Sequence, residues 1–128
     1  MKISHIALWV TNIEHMRQFY ETYLGGIGNK KYENPAKGFT SYFLSFAGTS
    51  RLELMHKPGI SGVAATDVDR PGIAHLAFSV GSPDAVDALT NRLRNDGYKI
   101  IAEPRRTGDG YYESVIADPE GNRLEITA

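Results

Sequence analysis

The chain has 128 residues, 41% apolar and 23% charged, which suits one globular domain with its own core and is too short for two ordinary ones. A net charge of −1 provides no general field to attract nucleic acid or an anionic membrane, so neither is an expected partner. The absence of cysteine excludes disulfides, thiolate metal sites and cysteine nucleophiles.

In chain order, His5-Ile6-Ala7-Leu8-Trp9-Val10 alternates as a strand does. A helix is predicted over about 12–24. Ile13, Met16, Phe19, Tyr20, Tyr23 and Leu24 fall at helical spacing, Thr11 or Asn12 is placed to cap it, and Gly25-Gly26 ends it. Three strands are predicted near 29–33, 40–46 and 51–56, with turns between them. Residues 57–72 hold Pro58-Gly59, Ser61-Gly62 and Pro71-Gly72 and are read as a connector and a candidate mobile flap. The same order then returns. His75-Leu76-Ala77-Phe78-Ser79-Val80 is strand-like, and Ser82-Pro83 is a cap followed by proline at the first helical position. Val86, Leu89 and Leu93 form a helical stripe that Gly97 stops. Strands follow near 98–102, 111–117 and 122–127.

The chain therefore reads twice. Arg51-Leu52-Glu53-Leu54 matches Arg123-Leu124-Glu125-Ile126; His5 to Glu53 spans 48 positions and His75 to Glu125 spans 50. The expected fold class is α+β: two tandem βαβββ modules, about 3–57 and 73–128, in one domain, forming a curved mixed sheet with helices on its outer face. No charged segment leads into a long apolar one near Met1 and no apolar run reaches membrane-spanning length, so a cytoplasmic protein is expected.

Strand alternation assigns faces. Ile6, Leu8 and Val10 share one face and His5, Ala7 and Trp9 the other; Leu76, Phe78 and Val80 oppose His75, Ala77 and Ser79. Glu53 opposes Leu52 and Leu54, and Glu125 opposes Leu124 and Ile126. With the aliphatic faces under the helices, two His and two Glu project to the other side. An isolated His or Glu there is ordinarily solvated. Carboxylates packed close would repel, and a divalent cation removes that penalty, so His5, Glu53, His75 and Glu125 are expected to hold one divalent metal. His15 is expected on the surface, and His56, opposite Glu53, in a structural or exposed position.

The repeated module, its opening His5 and His75, and its closing Leu-Glu-Ile resemble the vicinal oxygen chelate superfamily over nearly the whole chain. Gly72-Ile73-Ala74-His75-Leu76-Ala77-Phe78 and Asp118-Pro119-Glu120-Gly121-Asn122-Arg123-Leu124-Glu125 carry it most specifically. The metal pattern is most similar to glyoxalase I. That resemblance implies a lyase or isomerase acting on a hemithioacetal, or a related substrate with adjacent oxygens, through an enediolate. It implies Glu125 as first choice for the base, Glu53 as the alternative, and a six-coordinate Zn, Ni, Co, Mn or Fe(II) ion. It also implies a homodimer with two sites, the metal ligands meeting either within one chain or between chains.

The sequence departs from bacterial glyoxalase I at two glutathione-binding positions, Trp9 in place of an arginine and Lys57 in place of an asparagine. Trp9, Lys57, Tyr111 and Tyr112 are the candidate substrate-binding residues, with Glu113 beside them. A fosfomycin-inactivating transferase is an alternative that Glu53 argues against. A non-catalytic antibiotic-binding protein is another, opposed by retention of all four metal-binding residues.

Overall fold

The computed structural model describes residues 1–64, 69 and 71–128. It divides into two units, Met1–Val63 and Ala64–Ala128. Each carries one α-helix and its own mixed sheet, and the first adds a short 3-10 turn over Pro35–Lys37. The connector lies partly inside these units: Thr11 Oγ1 donates to the Gly62 carbonyl at 3.0 Å, and the Ala64 N–H donates to the Glu120 carbonyl at 2.7 Å. Residues 65–68 and 70 of the expected flap are outside the described residues.

In the first unit β1 (Ile6–Trp9) leads to α1 (Ile13–Leu24), then β2 (Ile27–Gly28), β3 (Tyr32–Asn34), β4 (Phe39–Ser45) and β5 (Arg51–His56). Asn12, not Thr11, caps α1: its side chain accepts from the His15 N–H, while Gly25 takes the left-handed conformation that ends the helix. β1 pairs parallel with β5, which pairs antiparallel with β4. The strand expected over 29–33 is instead two short ones. Asn29 is the break, because its side-chain Oδ1 accepts from the Phe43 N–H at 2.8 Å and its N–H donates to the Phe43 carbonyl. Val10, Ile13, Met16, Phe19, Tyr20, Leu44, Leu52 and Leu54 form the core between helix and sheet.

The second unit repeats the order with β6 (Leu76–Ser79), α2 (Pro83–Asn95), β7 (Ile100–Arg106), β8 (Tyr112–Ala117) and β9 (Arg123–Thr127), in sheet order β6-β9-β8-β7. Ser82 caps α2 by accepting from the Ala85 N–H, with Pro83 in its first turn. The buried stripe is Val86, Thr90 and Leu93; Leu89 is only half-buried. Thr90 is tolerated there because Oγ1 donates to the Val86 carbonyl and stands 2.7 Å from Ser114 Oγ. β7 runs four residues past its expected end, through Pro104, with one register shift between Ile100 and Ala102 and a second between Ala102 and Arg105, where the proline cannot join the ladder. Among the described residues no helix is long and apolar enough to cross a membrane.

Candidate metal and substrate site

β1 and β5 are adjacent and parallel, so residues opposite one another share a face. Ala7 faces Glu53, which faces Phe43 on β4. His5, two residues before Ala7, is on that same face. Its Nε2 lies 3.7 Å from Glu53 Oε2, and its ring packs edge-on against Phe43 at 5.2 Å. The second unit places its pair in the same way. Ala77 faces Glu125, and His75 Nε2 lies 3.2 Å from Glu125 Oε2. The carboxylates are the more sheltered partners, Glu53 14% and Glu125 20% exposed, while the imidazoles are open at 38% and 41%.

These pairs suit a divalent cation. Each brings one imidazole nitrogen close to one carboxylate oxygen, and nitrogen–oxygen donors are those that Zn, Ni, Co, Mn and Fe(II) accept. Ser4 Oγ lies 3.1 Å from His5 Nδ1 and accepts from Arg51 Nη2 at 3.2 Å. With Nδ1–H donating to that oxygen, Nε2 presents its lone pair outward, as a metal-binding histidine requires. Each pair is formed within its own unit. Among the described residues no group of three or more His, Asp or Glu side chains gathers to hold an ion.

The sequence pattern that defines the Glyoxalase/Bleomycin resistance protein/Dioxygenase superfamily matches residues 2–126. The chain belongs to this superfamily. It is 28% identical to the uncharacterized protein YqjT of Bacillus subtilis, over 98% of each chain. It is 26% identical to the probable lactoylglutathione lyase of Synechocystis, over 98% of this chain and 94% of that one. Among solved structures, the trypanothione-dependent glyoxalase I of Leishmania major is similar in fold, with a TM-score of 0.78 at 22% identity over 99% of this chain and 86% of that one.

Within this superfamily fold the remaining candidates divide. Trp9 lies opposite Met55, on Glu53's face, and Lys57 follows Met55 by two residues. The Lys57 ammonium stands 4.7 Å from the Trp9 ring centre. Tyr111 is exposed in the turn before β8. Tyr112 faces the other way. Its hydroxyl donates to Asp87 on α2 at 2.8 Å, a bond that raises the phenol above its usual pKa, and it is separated by the sheet from Glu125. His15 is exposed as expected, and His56 is structural, its Nδ1–H donating to the Val10 carbonyl at 2.8 Å.

Besides Glu113, which the sequence already offered, the two faces carry residues that a reading limited to His and Glu does not find. In the first unit they are Tyr32, Phe39, Phe43 and Met55. In the second, Glu113 faces Thr127 and is held by Arg105 Nη2 at 3.5 Å, while Thr127 Oγ1 is buried without a protein partner among the described residues. Glu113 and Thr127 are two residues along from Val115 and Glu125, so this polar row continues Glu125's face. Alternation on β4 and β8, carried across the pairing register, is the signal that finds all of them.

Proposed function

We propose that this chain is a metal-dependent lyase or isomerase of the glyoxalase I type. Its substrate is a hemithioacetal or a related molecule with two adjacent oxygens. The observation that carries the reading is the duplicated pair: His5 with Glu53, and His75 with Glu125, each on the non-helical face of its sheet at the matching register. Superfamily membership and the resemblance to a probable lactoylglutathione lyase support it.

All four residues would hold one divalent cation in a homodimer. When bound, the ion supplies Lewis-acid polarisation of the two substrate oxygens. The protein's part is proton transfer and placement. Glu125 takes the proton from the carbon beside the carbonyl and returns it to the neighbouring carbon; Glu53 is the alternative by the near-symmetry of the modules. His5 and His75 would be the nitrogen ligands, His5 oriented by Ser4. Trp9, Lys57 and Tyr111 face the substrate.

The test is a substrate screen. Protein loaded separately with Zn, Ni, Co or Mn is mixed with methylglyoxal and several thiols, and thioester absorbance is followed with Glu125→Gln as control. Turnover that the variant loses is expected. Metal uptake without turnover for any thiol removes the lyase assignment, and no uptake at micromolar metal removes the metal site.

A further inference from the structure

Successive rungs of the first sheet, read across the strands, change character along Glu53's face. The rung through Ala7, Glu53 and Phe43 carries the metal-binding carboxylate. The next runs Trp9–Met55–Ser41–Tyr32, and the one beyond it carries Phe39, with Lys57 just past the end of β5. Trp9 and Tyr32 are 45% and 53% exposed. Their rings flank Phe39, with centres 6.2 and 6.1 Å from it. Large aromatic side chains left open side by side form the kind of contiguous apolar patch that marks a binding surface.

Lys57 gives that occupant a charge. Its ammonium lies over the indole, and no carboxylate pairs with it among the described residues. A neutral ring would meet the aromatic rungs and leave this cation uncompensated. An aliphatic anion would compensate it and leave the rings in water. A planar anion does both. At the rise of a strand, Trp9's rung lies about 7 Å and Lys57 about 13 Å beyond the register of Glu53. One elongated molecule can therefore span from the carboxylate to the cation.

We propose that Trp9, Tyr32, Phe39, Met55 and Lys57 form a platform for an aromatic or heteroaromatic ring bearing a carboxylate or similar negative group, and that this ring is the distal part of the substrate. The second half of that statement rests on the function proposed above. The platform itself does not need the metal.

Trp9 is the sole tryptophan, so its emission reports the platform directly. Metal-free protein is titrated with 4-chlorobenzoate, 4-chlorobenzyl alcohol and cyclohexanecarboxylate, following Trp9 fluorescence and the heat of binding. The aromatic acid binds about tenfold more tightly than either of the others. Lys57→Gln removes the preference of acid over alcohol. Phe39→Leu weakens both aromatic ligands and leaves the aliphatic acid unchanged. Equal affinities for all three ligands, or no saturation by any, overturn the proposal. So does Trp9 emission that follows protein concentration and ignores ligand, which means that a second copy of the chain covers the rings. Because binding is read without metal or turnover, a protein that passes here and fails the substrate screen keeps its platform and loses only the lyase assignment.

Discussion

His75 Nε2 and Glu125 Oε2 stand 3.2 Å apart at the open face of the second sheet, and His5 and Glu53 repeat the arrangement at 3.7 Å. On the proposed function, substitution separates metal binding from proton transfer. There Glu125→Gln would keep a ligand oxygen and remove the proposed base. It is expected to lower turnover by about 10²–10⁴-fold. Glu53→Gln is expected to act mainly through metal affinity. Steady-state rates at saturating metal, beside chelator-competition titrations, separate the two. If Glu53→Gln instead loses the rate while Glu125→Gln keeps it, the base is Glu53.

Ser4 offers a finer test of the first pair. Its Oγ bridges His5 Nδ1 and the Arg51 guanidinium, so it fixes the imidazole with Nε2 toward Glu53. Removing such an orienting contact typically costs about 10–100-fold in metal affinity. Ser4→Ala should show a loss at the lower end of that range, because the side chain is exposed. Its folding stability should change by no more than about 0.5 kcal/mol. An unchanged metal dissociation constant would assign Ser4 no positioning role.

How far the sequence discloses this site depends on what sets each position. Glu53 and Glu125 lie on strands whose alternation is unbroken, and His5 and His75 immediately precede two more, so parity alone assigns their faces. Tyr112 shows where that reasoning stops. Its face depends on the β8–β9 register, which the turn between Asp118 and Asn122 fixes: Asp118 Oδ1 accepts from the Glu120 and Asn122 N–H groups, and Oδ2 accepts from the Asn122 amide. With that turn in place Val115 stands opposite Glu125, Glu113 shares its face, and Tyr112 meets α2. The Trp9–Phe39–Tyr32 row is hidden for a related reason. Those residues belong to three strands, and only pairing through β5 and β4 brings them into neighbouring rungs. The Asn29 break and the Pro104 bulge are local competitions between side-chain or ring chemistry and the ladder, which periodicity does not register.

Thr90 and Ser114 form a polar contact within the second core. Thr90 Oγ1–H donates to the Val86 carbonyl, so Ser114 Oγ–H donates to Thr90 Oγ1. Thr90→Val preserves shape and strands the Ser114 hydroxyl in a fully buried position. A loss of about 1–3 kcal/mol is expected in urea unfolding. Thr90→Val with Ser114→Ala removes both hydroxyls and should recover part of that loss. Additive losses would show that the two hydroxyls do not interact.

Glu14 ties α1 to the first sheet, accepting from Tyr42 Oη at 3.0 Å and from Lys31 Nζ at 2.9 Å. The Lys31 hydrogen bond is the largest influence on its carboxyl and holds it below the ordinary glutamate pKa, against a smaller opposing effect of burial. A folded-state pKa below the unfolded one means that unfolding takes up protons as the medium is acidified. The stabilisation is thus complete above the unfolded value of about 4.3 and is lost as pH falls through the lower folded value. Glu14 is 56% exposed, so solvent screening limits the contribution to less than about 1 kcal/mol. Glu14→Gln should therefore destabilise the protein slightly at pH 7, and the difference from wild type should shrink toward zero as pH falls below 4. Urea titrations of both proteins at pH 7, 5 and 3.5 measure it. A gap that widens on acidification would show that Glu14 is not the group whose ionisation stabilises this contact.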